Sequence, residues 1–175
     1  MGSKGLRYIM DEFLEQIEAS CQAGHLYVAL FCSLALPDIC GAISSSDGTA
    51  KSHKYKNWFD KYIMPKYGGN FDGSNCYAFR CSILHQGKIR HRNLGYERVI
   101  FLAPIDNSQR IMHNNILNDA LNLDLVEFCN DIVDGVRTWM QDESQNPWFQ
   151  KNVETVLRRY KGGLPQYVTG VDIYC

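Results

Sequence analysis

Phe79-Arg80-Cys81-Ser82-Ile83-Leu84-His85-Gln86-Gly87 decides how the rest of the chain is read. Tyr77, Phe79, Ile83 and Leu84 recur at helical steps and Gly87 is a helix stop, so the stretch is the end of an interior helix that carries Arg80 and His85. Asp72 or Ser74 is positioned to cap its start. An arginine neutralises a phosphate with a planar fork of donors, and a histidine titrates near neutrality, so the pair suits catalysis on a phosphodiester. Five residues turn about 140° on a regular helix. The two side chains therefore meet only if the long arginine wraps round the helix or a second chain contributes.

Working outward, the helix lies in the basic part of an otherwise balanced chain. Lys51 to Arg98 holds ten basic residues against three acids, a net +7, while the remainder carries −8 of the overall −1. That segment is a candidate surface for a polyanion such as RNA. Lys88, Arg90 and Arg92, just beyond Gly87, are the residues expected to hold flanking phosphates, and His91 among them is expected to be a solvent-exposed loop residue. Upstream, Tyr55, Trp58, Phe59, Tyr62 and Ile63 alternate with lysines at helical spacing. Such a pattern is more often core with lysine stems along its edge than a base-stacking platform.

The N-terminal part reads as two helices. Leu6, Ile9, Met10, Phe13, Leu14, Ile17 and Cys21 form one apolar face, and Gly24 ends it. His25 to about Ser44 is a buried central helix, interrupted or kinked at Pro37. Asp38 is its one charged residue, either turned to water or held by a partner such as Arg80, and it is counted with the candidate substrate-binding residues. Ser44 to Thr49 is a loop by composition. The C-terminal part begins with a β-hairpin of Arg98–Leu102 and 111–116, joined by a turn at 106–108. A long helix from about Leu121 to Gln141 follows, then a last helix capped by Asn146 with Pro147 in its first turn and Val156, Leu157 and Tyr160 inward. Residues 161–175 read as a weakly structured tail. The expected architecture is a mainly α, single-domain, up-and-down bundle of about five to six helices with a small β-hairpin insertion, its core at about 6–160.

Seven scattered cysteines without a C-x-x-C pair are expected to be reduced thiols; a zinc site of Cys32, Cys40, Cys76 and Cys81 is the disfavoured alternative, so no metal and no cofactor are expected. The longest apolar run, Leu26 to Leu36, ends at Pro37-Asp38 and falls short of a membrane span. Leu6 stands where a myristoylation signal needs Ser or Thr, and no signal peptide is recognisable. The expectation is a cytoplasmic protein without membrane attachment. No G-x-S-x-G, H-E-x-x-H, P-loop or G-x-G-x-x-G occurs, which excludes the usual signatures of serine hydrolases, zinc proteases and nucleotide-driven enzymes.

An α-helical domain with Arg80-x4-His85 at the end of an interior helix resembles the HEPN superfamily, whose signature is an arginine followed after four to six residues by a histidine. The resemblance covers about residues 6–160. It implies a metal-independent endoribonuclease of toxin–antitoxin, phage-defence or CRISPR systems, working as a homodimer in which two copies of the motif form one site. Arg80 and His85 would be catalytic, and an antitoxin or other protein is an implied partner. The alternatives are a catalytically inactive HEPN-like bundle that binds a nucleotide or a partner protein, and a general helical interaction module.

Overall fold

The computed structural model describes residues 4–88, 96–103 and 112–175. The chain is mainly α with a small β insertion, as its patterning predicts. The helices are α1 (Lys4–Gln22), α2 (Leu26–Ile43), α3 (Ser52–Tyr62), the single turn α4 (Met64–Tyr67), α5 (Gly73–Gln86), α6 (Leu125–Asp142) and the short α7 (Pro147–Asn152). Consecutive long helices pack on one another, α1 on α2, α2 on α3 and α3 on α5, and α6 returns against α2, α1 and α3. The core they enclose is rich in aromatics: Tyr55, Phe59, Tyr67, Phe71, Phe79, Phe128 and Trp139 are all sealed from solvent. The aromatic face of α3 therefore belongs to the core.

α2 is the central element. It runs without interruption through Pro37 to Ile43, close to the end expected near Ser44. By length and composition it could cross a membrane, with a mean hydropathy of 1.9 over 18 residues, and half of that window is buried inside the bundle. Its C-terminal end is pinned to the α6–α7 corner. Trp139 Nε1 donates to Ser44 Oγ at 2.8 Å, and Asn152 Nδ2 donates to the carbonyls of Ile43 at 3.0 Å and Ser45 at 2.8 Å.

α3 is gripped between two glycines. A β-carbon at Gly41 of α2 would lie 2.9 Å from Lys54 Cβ, and one at Gly73, the first residue of α5, would lie 2.4 Å from the Lys56 carbonyl oxygen. Only residues without a side chain let the three backbones come this close.

The β insertion differs from the hairpin expected. β1 (Arg98–Leu102) does not pair with the strand that follows it; it pairs in parallel with β3 (Ala120–Asp124), with Arg98 opposite Ala120 and Leu102 opposite Asp124. β2 (Asn115–Leu117) pairs with β3 antiparallel, giving the order β1-β3-β2, while 106–108 and Ile111 lie outside the described residues. The β2–β3 turn is Asn118-Asp119, both with positive φ, 50° and 58°, the two-residue turn whose twist suits a hairpin. β3 thus takes residues assigned by periodicity to the long helix. Leu121, Leu123 and Leu125 fit a strand's alternation as well as a helix's first turn, and the true helix start is marked by Asp124, whose carboxylate accepts from Glu127 N at 2.9 Å. Phe101 of β1 packs on Phe79 and Phe128, which seats the sheet against α5 and α6.

The last helix is also shorter than expected. Asn146 caps it and Pro147 opens it, but after Asn152 the chain forms a 3₁₀ turn and leaves the helix. The Arg158 backbone pairs with that of Cys175 in both directions, which draws 158–160 into β4 (Arg159–Tyr160) against β7 (Ile173–Tyr174) and leaves Leu157 69% exposed. β5 (Gly163–Leu164) and β6 (Val168–Thr169) form a second small ladder. Residues 161–175 are therefore folded back as two ladders, tied to α1 by an Arg159–Glu12 ion pair of 3.3 Å.

Candidate functional site

α5 owes its position to acids at its start and to a glycine at its end. Asp72 caps it, accepting from Asn75 N at 2.8 Å, and Asp60 of α3 accepts from Gly73 N at 2.6 Å. Gly87 takes the left-handed conformation, φ 62°, so that its own N–H reaches the Ile83 carbonyl and the Lys88 N–H reaches that of Ser82. Between these stops Phe79 is locked into the core. Its neighbour Arg80 is thereby turned along the surface of α5 toward α2.

The arginine wraps, as the 140° separation requires of a single chain. Arg80 Nη1 lies 2.8 Å from His85 Nε2, and Arg80 Nη2 lies 2.6 Å from Asp38 Oδ2. One guanidinium thus joins the imidazole on its own helix to the carboxylate on α2. Arginine has donors only, so in this contact His85 Nε2 is the acceptor, which corresponds to the tautomer with its proton on Nδ1. Cys81 Sγ, 4.0 Å from Nη1, adds a weak acceptor beside the pair.

The three side chains differ in exposure. His85 faces solvent, whereas Arg80 and Asp38 keep 19% and 13% of their side-chain surface. Burial pushes the Asp38 carboxyl above the usual carboxylate range, and the Arg80 guanidinium opposes that rise. Burial likewise acts to weaken the Arg80 charge, but Asp38 together with the neighbouring Cys81 and Tyr55 outweighs it and the guanidinium stays protonated. The ion pair is short but poorly aligned: Asp38 Oδ2 and Arg80 Nε are both buried without a hydrogen bond. A buried donor left unmatched costs about 1–3 kcal/mol, so the guanidinium gains by turning toward a better acceptor. A phosphate is such an acceptor, and on moving to it Arg80 would release the Nε2 lone pair of His85.

Of the residues expected to act with the pair, Lys88 is exposed directly after Gly87. Arg90, His91 and Arg92 lie outside the described residues. The cysteine cluster weighed as a zinc site is not formed: among the described residues no three His, Cys, Asp or Glu side chains converge as metal ligands, and the seven cysteines are free thiols.

Sequence reasoning missed a groove of about 360 Å³ that opens beside Asp38, with walls of Ile39, Ile43 and Val156 and with Asn152 and Thr155 at its rim. Residues more than a hundred positions apart form it, and no local spacing signals that. The α2 face that leads to Asp38 also carries exposed apolar side chains, Tyr27, Val28 and Phe31. Compared with protein-family models, with curated proteins and with solved structures, the chain has no significant match.

Proposed function

We propose that the chain is a metal-independent endoribonuclease of the HEPN type, and the observation that carries the reading is the single guanidinium set between His85 at 2.8 Å and Asp38 at 2.6 Å. A phosphate entering between Arg80 and His85 draws the guanidinium onto its oxygens. The freed Nε2 of His85 takes the proton of the adjacent RNA 2′-hydroxyl. The 2′-oxygen attacks phosphorus, the bond to the 5′-oxygen breaks, and Arg80 stabilises the charge that builds on the phosphoryl oxygens. The products are a 2′,3′-cyclic phosphate and a 5′-hydroxyl. Asp38 keeps the guanidinium charged and aimed, and Lys88, Arg90 and Arg92 hold the flanking phosphates.

One His85 cannot be base and acid in the same step, so the leaving 5′-oxygen is best protonated by the His85 of a second copy. The exposed Tyr27, Val28 and Phe31 on the helix that bears Asp38 supply an apolar face for that copy. The setting that fits this reading is cytoplasmic defence or a toxin–antitoxin pair, in which a partner protein restrains the nuclease.

A second reading is favoured by one feature. Both Nη atoms of Arg80 are already engaged within the chain, as they would be in a catalytically silent bundle that binds a nucleotide or a protein. Incubating the protein with single-stranded RNA in chelator decides between them. Cleavage that is lost in Arg80→Ala and His85→Ala supports the nuclease; intact RNA, or cleavage that survives both substitutions, supports the silent bundle.

A further inference from the structure

The groove beside Asp38 has a chemistry of its own. Its walls are aliphatic, from Ile39 and Ile43 of α2 and Val156 beyond α7, and its volume of about 360 Å³ is at the small end for ligand sites. The polar side chains on it are Asp38, Asn152 and Thr155, and their hydrogen bonds fix what each has left to offer. Asp38 gives Oδ2 to Arg80, so Oδ1 remains. Asn152 spends its amide nitrogen on the carbonyls of Ile43 and Ser45, so its Oδ1 remains. Thr155 donates its hydroxyl hydrogen to the Asn152 carbonyl at 2.8 Å, so only lone pairs remain. An apolar groove whose side chains offer three acceptors and no donor suits a ligand with an apolar body and an edge rich in N–H groups, as a nucleobase has.

Among the nucleobases guanine has the most such donors on its Watson–Crick edge, one ring N–H and two amino hydrogens. Adenine and cytosine have a two-hydrogen amino group, and uracil has one ring N–H. The groove starts at the carboxylate that holds Arg80, so a base in it belongs to a nucleotide whose phosphate is within the arginine's reach. We propose that this groove is a guanine subsite, read through Asp38 Oδ1, Asn152 Oδ1 and Thr155 Oγ1, that selects the nucleotide next to the cleaved phosphate. The proposal rests on the nuclease reading above for the role of the subsite, but the base preference itself is testable without any cleavage.

The four nucleoside 3′-monophosphates are titrated into the full chain by calorimetry, with inorganic phosphate as the base-free probe. Guanosine monophosphate should bind at least about fivefold more tightly than the uridine compound, the low end of what a good base contact discriminates. Ala42→Phe, which fills the groove, should reduce the four to one affinity close to that of inorganic phosphate. Thr155→Lys on the exposed rim puts a donor where the wild type has an acceptor and should shift preference from guanosine toward uridine; it also serves if Ala42→Phe does not fold. Four nucleotides bound within about threefold of one another, a guanosine preference that persists in both variants, or no binding of any of them at millimolar concentration overturns the subsite. Sequencing the ends of RNA fragments separates the two claims. Cleavage that needs His85 but shows no guanosine bias leaves the nuclease and removes the subsite, whereas a guanosine preference in binding without cleavage does the reverse.

Discussion

Among the described residues Asp131 and Asp38 are largely buried carboxylates that face cations, and they are finished differently. Asp131 of α6 accepts from Lys66 Nζ at 2.6 Å on one oxygen and from Tyr67 hydroxyl at 2.9 Å on the other, so the charge is matched on both sides and α4 is tied to α6. Burial and the charge of Asp131 push the Tyr67 hydroxyl far above its ordinary range, which keeps it a donor at every physiological pH. Asp38 has an equally short contact with Arg80, yet the contact is misaligned, the Arg80 Nε is unmatched, and the third member, His85, stands in solvent. A satisfied cluster is a structural tie, and rearranging it gains nothing. An incompletely satisfied one beside open solvent can be completed by a ligand.

Substitutions should separate the two clusters by readout. Arg80→Ala should have the largest effect, a loss of RNA cleavage of about 10²–10³-fold by fragment assay. Its melting temperature should fall as well, because the largely buried Asp38 carboxylate is left without its counter-charge, so cleavage is compared well below both melting temperatures. Asp131→Ala should lower stability alone. It leaves the Tyr67 hydroxyl buried without its acceptor and Lys66 with only the longer 3.8 Å contact to the exposed Asp134, at a cost of about 2 kcal/mol once the partial exposure of Lys66 is discounted, with cleavage intact. For a chain of this length that is about 4–8 °C in a thermal melt. Tyr67→Phe removes one of the two donors and should cost about 1 kcal/mol in urea unfolding.

The smallest effect is the most diagnostic. Asp38→Asn should change stability at pH 7 by less than about 1 kcal/mol, because burial already disfavours the charge it removes. The sign with pH then follows. The folded carboxyl holds its proton more tightly than the unfolded one, whose ordinary value is 3.8, so the wild type should gain on Asp38→Asn as pH falls through the interval between the two. Paired urea titrations at pH 7 and pH 4 read this, and a gain by Asp38→Asn at the lower pH would mean that the Arg80 charge outweighs burial.

The sequence makes the local grammar visible and the long-range pairings not. Asp72, Gly87, Asn146 and Pro147 act on backbone groups within a few residues, and each stands where its chemistry predicts. Arg80 and His85 were legible because a helix end and a side-chain length are local properties, and Asp38 because a lone charge in an apolar helix must find a partner. The strand at Ala120–Asp124 was not legible, since three alternating leucines suit two periods and only β1, 22 positions earlier in register, decides between them. The Cys175 backbone drawing Arg158 out of the last helix is likewise invisible locally. So is the groove, whose rim at Asn152 and Thr155 is brought to α2 by side-chain bonds to the carbonyls of Ile43 and Ser45.

The glycine pair that grips α3 makes that helix a spacer gauge for chemistry in which it takes no part. Gly41 lies on the helix of Asp38 and Gly73 begins the helix of Arg80, and each touches α3 where nothing bulkier than a hydrogen fits. The distance between carboxylate and guanidinium is thus set by the thickness of a bare polypeptide backbone. A methyl group at either position would push α2 and α5 apart by a fraction of an ångström to an ångström, enough to carry a 2.6 Å contact out of hydrogen-bonding range. The grip of Arg80 on its own chain, and so its readiness to let go for a ligand, can therefore be tuned from residues that touch neither.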